Sequence, residues 1–340
     1  MENQFDVLAL GEILLRLSPP GNERIVRSST FEKRMGGAEL NVVSGISLLG
    51  LRTGIISRIP AHTVGMFARN EVRYSKVSDD YLIYDRDPDA RLGVYYYENG
   101  AYPRKPGVVY DRKNTSINKI FPEDFPDEIY ENCRCFHTSG ITTALGENCR
   151  RTAVYMMKRF KEKGAMISFD VNYRANLWSG EEARKCVEEL LPYVDIFFCS
   201  EDTARLTFHK EGTAQEMMKE FAAEYDLSVV ASTRRIVHSP RRHTFGSVLY
   251  NKKEDRFYTD DPYENIEVID RIGRGDAYVS GVLYGLLCEG GSCEKALRFG
   301  NASGAAKNTI PGDVTSLNLK EIENIIKEHE NQGFHTEMER

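Results

Sequence analysis

The chain has 340 residues, 41% of them hydrophobic and 28% charged, with 51 acids against 45 bases and a formal net charge of −6. This is ordinary globular composition, and the absence of a basic face argues against nucleic acid as a partner. The seven cysteines are scattered, with no CxxC pair and no accompanying histidine cluster, so a zinc site is not expected and a reducing compartment is. The start, Met1-Glu2-Asn3-Gln4, is unlike a signal peptide, and no apolar run approaches about 18 residues. The expectation is a cytoplasmic protein that does not engage a membrane.

Short apolar runs alternate with amphipathic helical patterns along the chain. Strands are expected at Val7–Leu10, Gly54–Arg58, Cys135–Thr138, Met166–Asp170, Ile196–Cys199, Val229–Ala231 and Ser247–Tyr250. Helices are expected at Leu40–Leu49, Val64–Val77, Cys149–Lys163, Gly180–Leu191, Thr213–Tyr225, Asp276–Cys288 and Cys293–Asn308. The runs "ISFD" and "IFFC" are continuously apolar, as strands buried on both sides of a parallel sheet are. Residues 11–35 and 88–115 break the alternation; "RLGVYYYENG" and "GVVYDR" read as two strands around a turn. Together these features predict one α/β domain over residues 1–330, with a mostly parallel central sheet flanked by helices. A small β-sheet lid and a polar tail at 331–340 complete it.

Residues 269–287, "IDRIGRGDAYVSGVLYGLL", carry the chemistry. A strand-like run leads into Gly273-Arg274-Gly275, then Asp276, then Val279, Val282, Leu283, Leu286 and Leu287 on one helical face. Unpaired N–H groups at a helix N-terminus favour an anion, and glycines allow phosphate oxygens to approach the backbone. Asp276 has two readings here, a helix cap or a base facing a substrate hydroxyl.

Asp270-Arg271-Ile272-Gly273-Arg274-Gly275-Asp276 resembles the second signature of the ribokinase-like (PfkB) carbohydrate kinases, usually Asp-Thr-Thr-Gly-Ala-Gly-Asp. "MGGAELNVVSGISLLG", with Gly36, Gly37 and Asn41, resembles the first signature. "GEILLRLSPPG", "HTSGIT", "DVNYRANLWS" and "NTIPGDV" are similar to segments of the 2-keto-3-deoxygluconate kinases, and the resemblance spans roughly residues 5–328. It implies a three-layer ribokinase-like fold and transfer of the γ-phosphoryl group of ATP, with Mg²⁺, to a sugar-acid hydroxyl. Asp276 would be the base. Gly37, Asn41, Tyr95, Tyr110, Arg112, Arg174 and Asp313 would bind substrate. Ser200, Gly273, Arg274, Gly275 and Asn301 would serve ATP, and Asp170 and Glu201 would assist the metal indirectly. A homodimer formed through the lid is implied as well.

Four departures stand out. Arg274 replaces a small residue in the anion loop. Thr203 stands where the wider family has a carboxylate near the metal. The nucleotide segment "STRRIVHSPRRHTFGS" carries four arginines and two histidines and no glycine before Gly246. "SRIPAHTVGMFARN" lacks an acid common in this loop. A kinase for another small sugar of the fructose or tagatose type, or a non-catalytic sugar-acid-binding protein, are the alternatives. Each binding residue also has a plain structural reading: Tyr95-Tyr96-Tyr97 as strand packing, Arg174 as an ion pair with Asp170 or Glu201, Asp313 as a turn acid.

Overall fold

Phe5–Leu10 forms the first strand, β1, buried along its whole length. Successive side chains of a strand point to opposite faces, and here both faces are apolar. Leu8 and Leu10 join Ile56, Phe136 and Phe160 in one cluster, while Val7 and Ala9 join Val43, Ile55 and Cys135 in the other. A strand in this position needs helices above and below it, and the rest of the chain supplies them.

The computed structural model describes residues 4–331. After β1 come β2 (Leu14–Ser18), β3 (Glu32–Gly36), α1 (Ala38–Leu48), β4 (Thr53–Pro60), α2 (Thr63–Tyr74), β5 (Leu82–Asp85), β6 (Gly93–Glu98) and β7 (Gly107–Asp111). Next are β8 (Cys133–Ser139), α3 (Gly140–Ala144), α4 (Glu147–Glu162), β9 (Met166–Asp170), α5 (Gly180–Leu190), β10 (Ile196–Phe198), α6 (Glu201–Leu206) and α7 (Ala214–Tyr225). The last third holds β11 (Val229–Ser239), β12 (Arg242–Asn251), β13 (Arg256–Thr259), β14 (Tyr263–Glu267), α8 (Arg274–Leu287), α9 (Cys293–Lys307) and α10 (Leu319–Glu330).

The main sheet runs β5-β4-β1-β8-β9-β10-β11 with all strands parallel, then β12 antiparallel to β11, with β13 and β14 both antiparallel to β12. Apolar faces of α4, α5 and α7 cover one side of it, and those of α1, α2, α8 and α9 cover the other. This is the ribokinase-like three-layer α/β fold. A separate four-stranded sheet, β3-β2-β6-β7, is built from the two segments that broke the alternation. It lies beside the carboxyl ends of the parallel strands, because β2 follows β1 after three residues.

Three expectations need correction. The strands expected at Val229–Ala231 and Ser247–Tyr250 are longer, the arginine-rich segment between them being part of one long hairpin paired from Val229↔Asn251 to Val237↔His243. Its charge density hides the strand, yet both arms satisfy their backbone groups in the ladder and leave Arg234–His238 exposed. The second helix ends at Tyr74, not Val77, and Lys76 adopts positive φ. The expected helices stop at Asn308, whereas α10 follows from Leu319 to Glu330 with an Asn318–Glu321 capping box; beyond Asn331 the expected polar tail lies outside the described residues. No helix among the described residues is long and apolar enough to cross a membrane, and all seven cysteines are free thiols.

Candidate active site

Ligand sites of parallel α/β sheets lie beyond the carboxyl ends of the strands. Here Glu12 follows β1, Ser139 ends β8, Asp170 ends β9 and Ser200 follows β10. The helices α1 and α8 bring their N-terminal turns to the same end of the sheet.

Asp276 is the third residue of α8, whose N-cap is Gly273. Gly273 has φ 76°, and a Cβ there would lie 1.8 Å from the Asp313 carbonyl oxygen, so only glycine makes this turn. A Cβ on Gly275 would meet nothing within 4 Å: the space over the first turn is open, and the turn's unpaired N–H groups and the helix dipole face it. Asn41 of α1 donates from Nδ2 to Asp276 Oδ2 at 2.7 Å, while its Oδ1 is buried without a partner. Burial raises Asp276 to about 6; the Asn41 bond and the Arg174 charge oppose this, and the charges of Glu39 and Asp313 add to it. Asp170 is pushed to about 7 by burial and by Asp276, against the Asn172 N–H and Arg174. Two carboxylates thus share one buried site with Arg174 as the nearby cation. Arg174 is itself exposed and bonds the Tyr173 carbonyl at 3.0 Å, making neither of the ion pairs its sequence position suggested.

Gly37 precedes α1 with φ 137°, and a Cβ there would lie 2.1 Å from the Glu12 carbonyl oxygen. The glycine pair lets α1 start against the β1 exit. Glu39 is fully buried below, accepting from Ser139 Oγ at 2.6 Å and Thr142 Oγ1 at 2.7 Å.

Both lid tyrosines stand on strands of the small sheet, as expected, Tyr95 on β6 and Tyr110 on β7. Tyr95 stands on β6 with its hydroxyl bonded to Asp313 Oδ2 and its ring 5.7 Å from that of Tyr110. Asp313 is no simple turn acid. Its Oδ1 accepts from Arg16 Nη1 at 2.9 Å, and Arg16 Nη2 reaches Asp270 at 2.7 Å. Arg112 is buried, with Nε and Nη2 on Glu12 and its guanidinium 5.5 Å from the centroid of the Tyr110 ring. Arg16, Asp270 and Glu12 were not singled out from the sequence. The signal was available: three charged side chains in or beside apolar strand patterns, where a lone charge is costly unless paired.

On the other side of the loop, Ser200 Oγ caps α6 by accepting from Thr203 N at 3.2 Å. Asn301 is buried on α9, its Oδ1 accepting from Ser247 Oγ at 2.6 Å and its Nδ2 unpartnered. Arg274 does not point to solvent; its guanidinium lies over Phe245, 5.5 Å from the ring centroid. Glu201, expected with Asp170 on the metal side, opens α6 and bonds Arg205 at 2.8 Å, one turn along the helix.

The helix terminus opens onto free space beside a partly buried aspartate hydrogen-bonded by Asn41, and similarity to known proteins says which chemistry this site belongs to. Residues 4–319 match the pfkB family carbohydrate kinases, and the chain belongs to that family. It is 34% identical over 322 residues to the 2-dehydro-3-deoxygalactonokinase of Haloferax volcanii, covering 95% of this chain and 96% of that protein. It is 27% identical over 327 residues to the 2-dehydro-3-deoxygluconokinase of Bacillus subtilis, covering 94% of each. The crystal structure of the 2-dehydro-3-deoxygluconokinase from Thermotoga maritima matches at 33% identity with a TM-score of 0.90, covering 95% of this chain and 99% of that one. The protein is accordingly a carbohydrate kinase, a phosphotransferase with an alcohol acceptor.

Proposed function

We propose that this kinase transfers the γ-phosphoryl group of ATP to a hydroxyl of 2-keto-3-deoxygluconate. The observation that carries the reading is Asp276, held by Asn41 at 2.7 Å within the first turn of α8. As a carboxylate it accepts the proton of the acceptor hydroxyl as the oxygen attacks phosphorus. Its raised pKa, about 6, strengthens it as a base while leaving it ionised near neutrality. The N–H groups of the Gly273–Asp276 turn face the transferring group, where phosphoryl transfer needs alignment and charge stabilisation rather than covalent chemistry.

The substrate's carboxylate calls for a guanidinium. Arg174, exposed beside Asp170 and Asp276, is the first candidate, with Arg112 the second. Asn41 Oδ1, buried and unpartnered, suits a sugar hydroxyl as donor. Gly37 lets the sugar approach the backbone, and Tyr95 and Tyr110 offer flat contact from the lid. Asp313, tied to Arg16 and Tyr95, would reach a hydroxyl only through the lone pairs left free.

Mg²⁺ fits this site, because the Asp276 charge raises the proton affinity of Asp170 and a divalent cation would relieve that repulsion. Asp170 is the residue to hold it, through water, and when bound it would neutralise the donor's phosphate oxygens. Ser200 and Asn301 would bound the nucleotide. A homodimer through the lid is supported by β7, whose five residues are all exposed, including Val108, Val109 and Tyr110; light scattering at micromolar concentration tests it.

The similarity to a 2-dehydro-3-deoxygalactonokinase favours the galacto epimer as a second reading. ADP release on adding ATP, Mg²⁺ and either sugar acid, or fructose as the neutral control, decides among them. Turnover confined to fructose would overturn the sugar-acid reading. Arg174→Ala should raise KM for the acid at least about tenfold, the effect of losing a charged hydrogen bond.

A further inference from the structure

Beside the anion loop, Arg274 lies over Phe245, whose cross-strand partner on β11 is Arg235, and Arg271 precedes it in the turn; among the described residues no salt bridge is formed by any of the three. Arg274 opens α8, and its Nε and Nη1 are buried without a hydrogen-bond partner. The side chain is laid against Phe245 of β12, so these donors are held at the seam between the hairpin and the helix. Arg271 comes from the turn just before, and Arg235 from β11. Burial, then the charges of Arg235 and Arg271, depress Arg274 to about 9. Arg235 is depressed by burial and by Arg271, with Asp202 alone acting the other way. His243 in the same cluster is pushed down to about 4 by burial and by all three arginines, and its Nδ1 is also unpartnered.

Arg235 and Arg271 are exposed and Arg274 is partly buried; the buried donors of Arg274 want a partner, and an anion drawn to the three cations would supply one. The guanidinium fork matches phosphate oxygens. The N–H groups of the first turn of α8 suit one phosphoryl group, whereas the Arg274 side chain reaches from that turn to Phe245 of β12, and Arg235 stands on β11. The arrangement suits a chain of phosphates rather than a single one.

We propose that Arg235, Arg271 and Arg274 form a clamp for the polyphosphate chain of the donor nucleotide, gripping the phosphates behind the one that is transferred. This rests on the reading above that the donor is ATP, and it gives Arg274 and the arginine-rich hairpin a task in donor selection. It also makes a nucleoside diphosphate bind much better than a monophosphate.

Calorimetric titration of the full chain with ADP and with AMP, in Mg²⁺, tests it. Arg274→Ala should weaken ADP at least about tenfold, as loss of charge-assisted bonds does, and should leave AMP within about threefold of wild type. Arg234→Ala, on the opposite face of β11, should bind ADP as wild type does. If Arg274→Ala does not fold, the Arg235→Ala/Arg271→Ala double variant carries the same test. ADP affinity within twofold of wild type in the folded variants overturns the clamp and leaves the kinase reading standing. A wild-type chain that neither binds ADP nor turns over ATP overturns the donor assignment, and the clamp with it.

Discussion

Asn41 and Asp276, 235 positions apart, meet at 2.7 Å through Nδ2 and Oδ2. The contact joins the first turn of α1 to the first turn of α8, and it is the main opposing influence on a carboxyl that burial raises to about 6.

Asp276→Asn should lower kcat by about 10²–10⁴-fold, the usual worth of a positioned base, while ADP still binds. The wild-type rate should fall as pH drops through about 6, where the carboxyl of Asp276 becomes protonated. The stability effect runs the other way. The native pKa exceeds the unfolded one, so the ionised group costs stability, increasingly from about pH 4 to 6 and fully above that. The Asn variant should therefore show a higher Tm at pH 8 and no gain below pH 4. An unchanged kcat would remove Asp276 from catalysis.

Asn41→Ala removes the bond that lowers Asp276. The acidic limb of the pH–rate profile should move to higher pH, a readout that loss of packing alone would not produce. A limb at the wild-type position would show that Asn41 does not tune the base.

Arg16 holds Asp270 and Asp313, with all three side chains almost fully buried. Arg16→Met leaves two carboxylates unpaired in the interior and should cost about 3–5 kcal/mol in denaturant unfolding. Arg16→Lys should recover little, because one ammonium lacks the fork that spans both partners. A loss under about 1 kcal/mol would show that the network is dispensable.

The two glycines of the anion loop should separate fold from function. Gly273→Ala puts a methyl 1.8 Å from a carbonyl oxygen at φ 76° and should lose about 1–3 kcal/mol of stability. Gly275→Ala meets no atom within 4 Å; its Tm should stay within a degree or two while the methyl fills the phosphate space and kcat/KM falls. Wild-type kinetics in a folded Gly275→Ala would place the phosphates elsewhere.

Much of the site was legible because two backbone requirements leave short, local marks. A positive-φ turn against a carbonyl demands glycine at Gly37 and Gly273, and a helix following each turn shows as apolar periodicity. Those marks left Asp276 as a helix cap or a base, and the resemblance to the two family signatures added Asn41 and the choice of base. What these residues touch could not be read from the sequence. Arg112 was expected to face substrate, and Glu12 claims two of its donors. Asp313 was expected at a hydroxyl, and Arg16 and Tyr95 bind it. Glu201 was placed with the metal, and Arg205 holds it. The hairpin of Arg234–His238 was hidden by its charges, since an exposed strand carries no apolar run to betray it.

The sequence by itself determined the layers, the order of the buried strands and the helices that cover them, and the glycine turns, because these follow from local periodicity and from the conformations a glycine alone tolerates. Only the tertiary structure decided which charges are spent on one another and which remain available. Arg16 and Arg112 are neutralised by carboxylates from distant segments, whereas Arg235, Arg271 and Arg274 are left facing each other. Coulomb interactions between side chains depend on a few ångströms of separation and on burial, and neither distance nor burial is written in the order of residues along a chain.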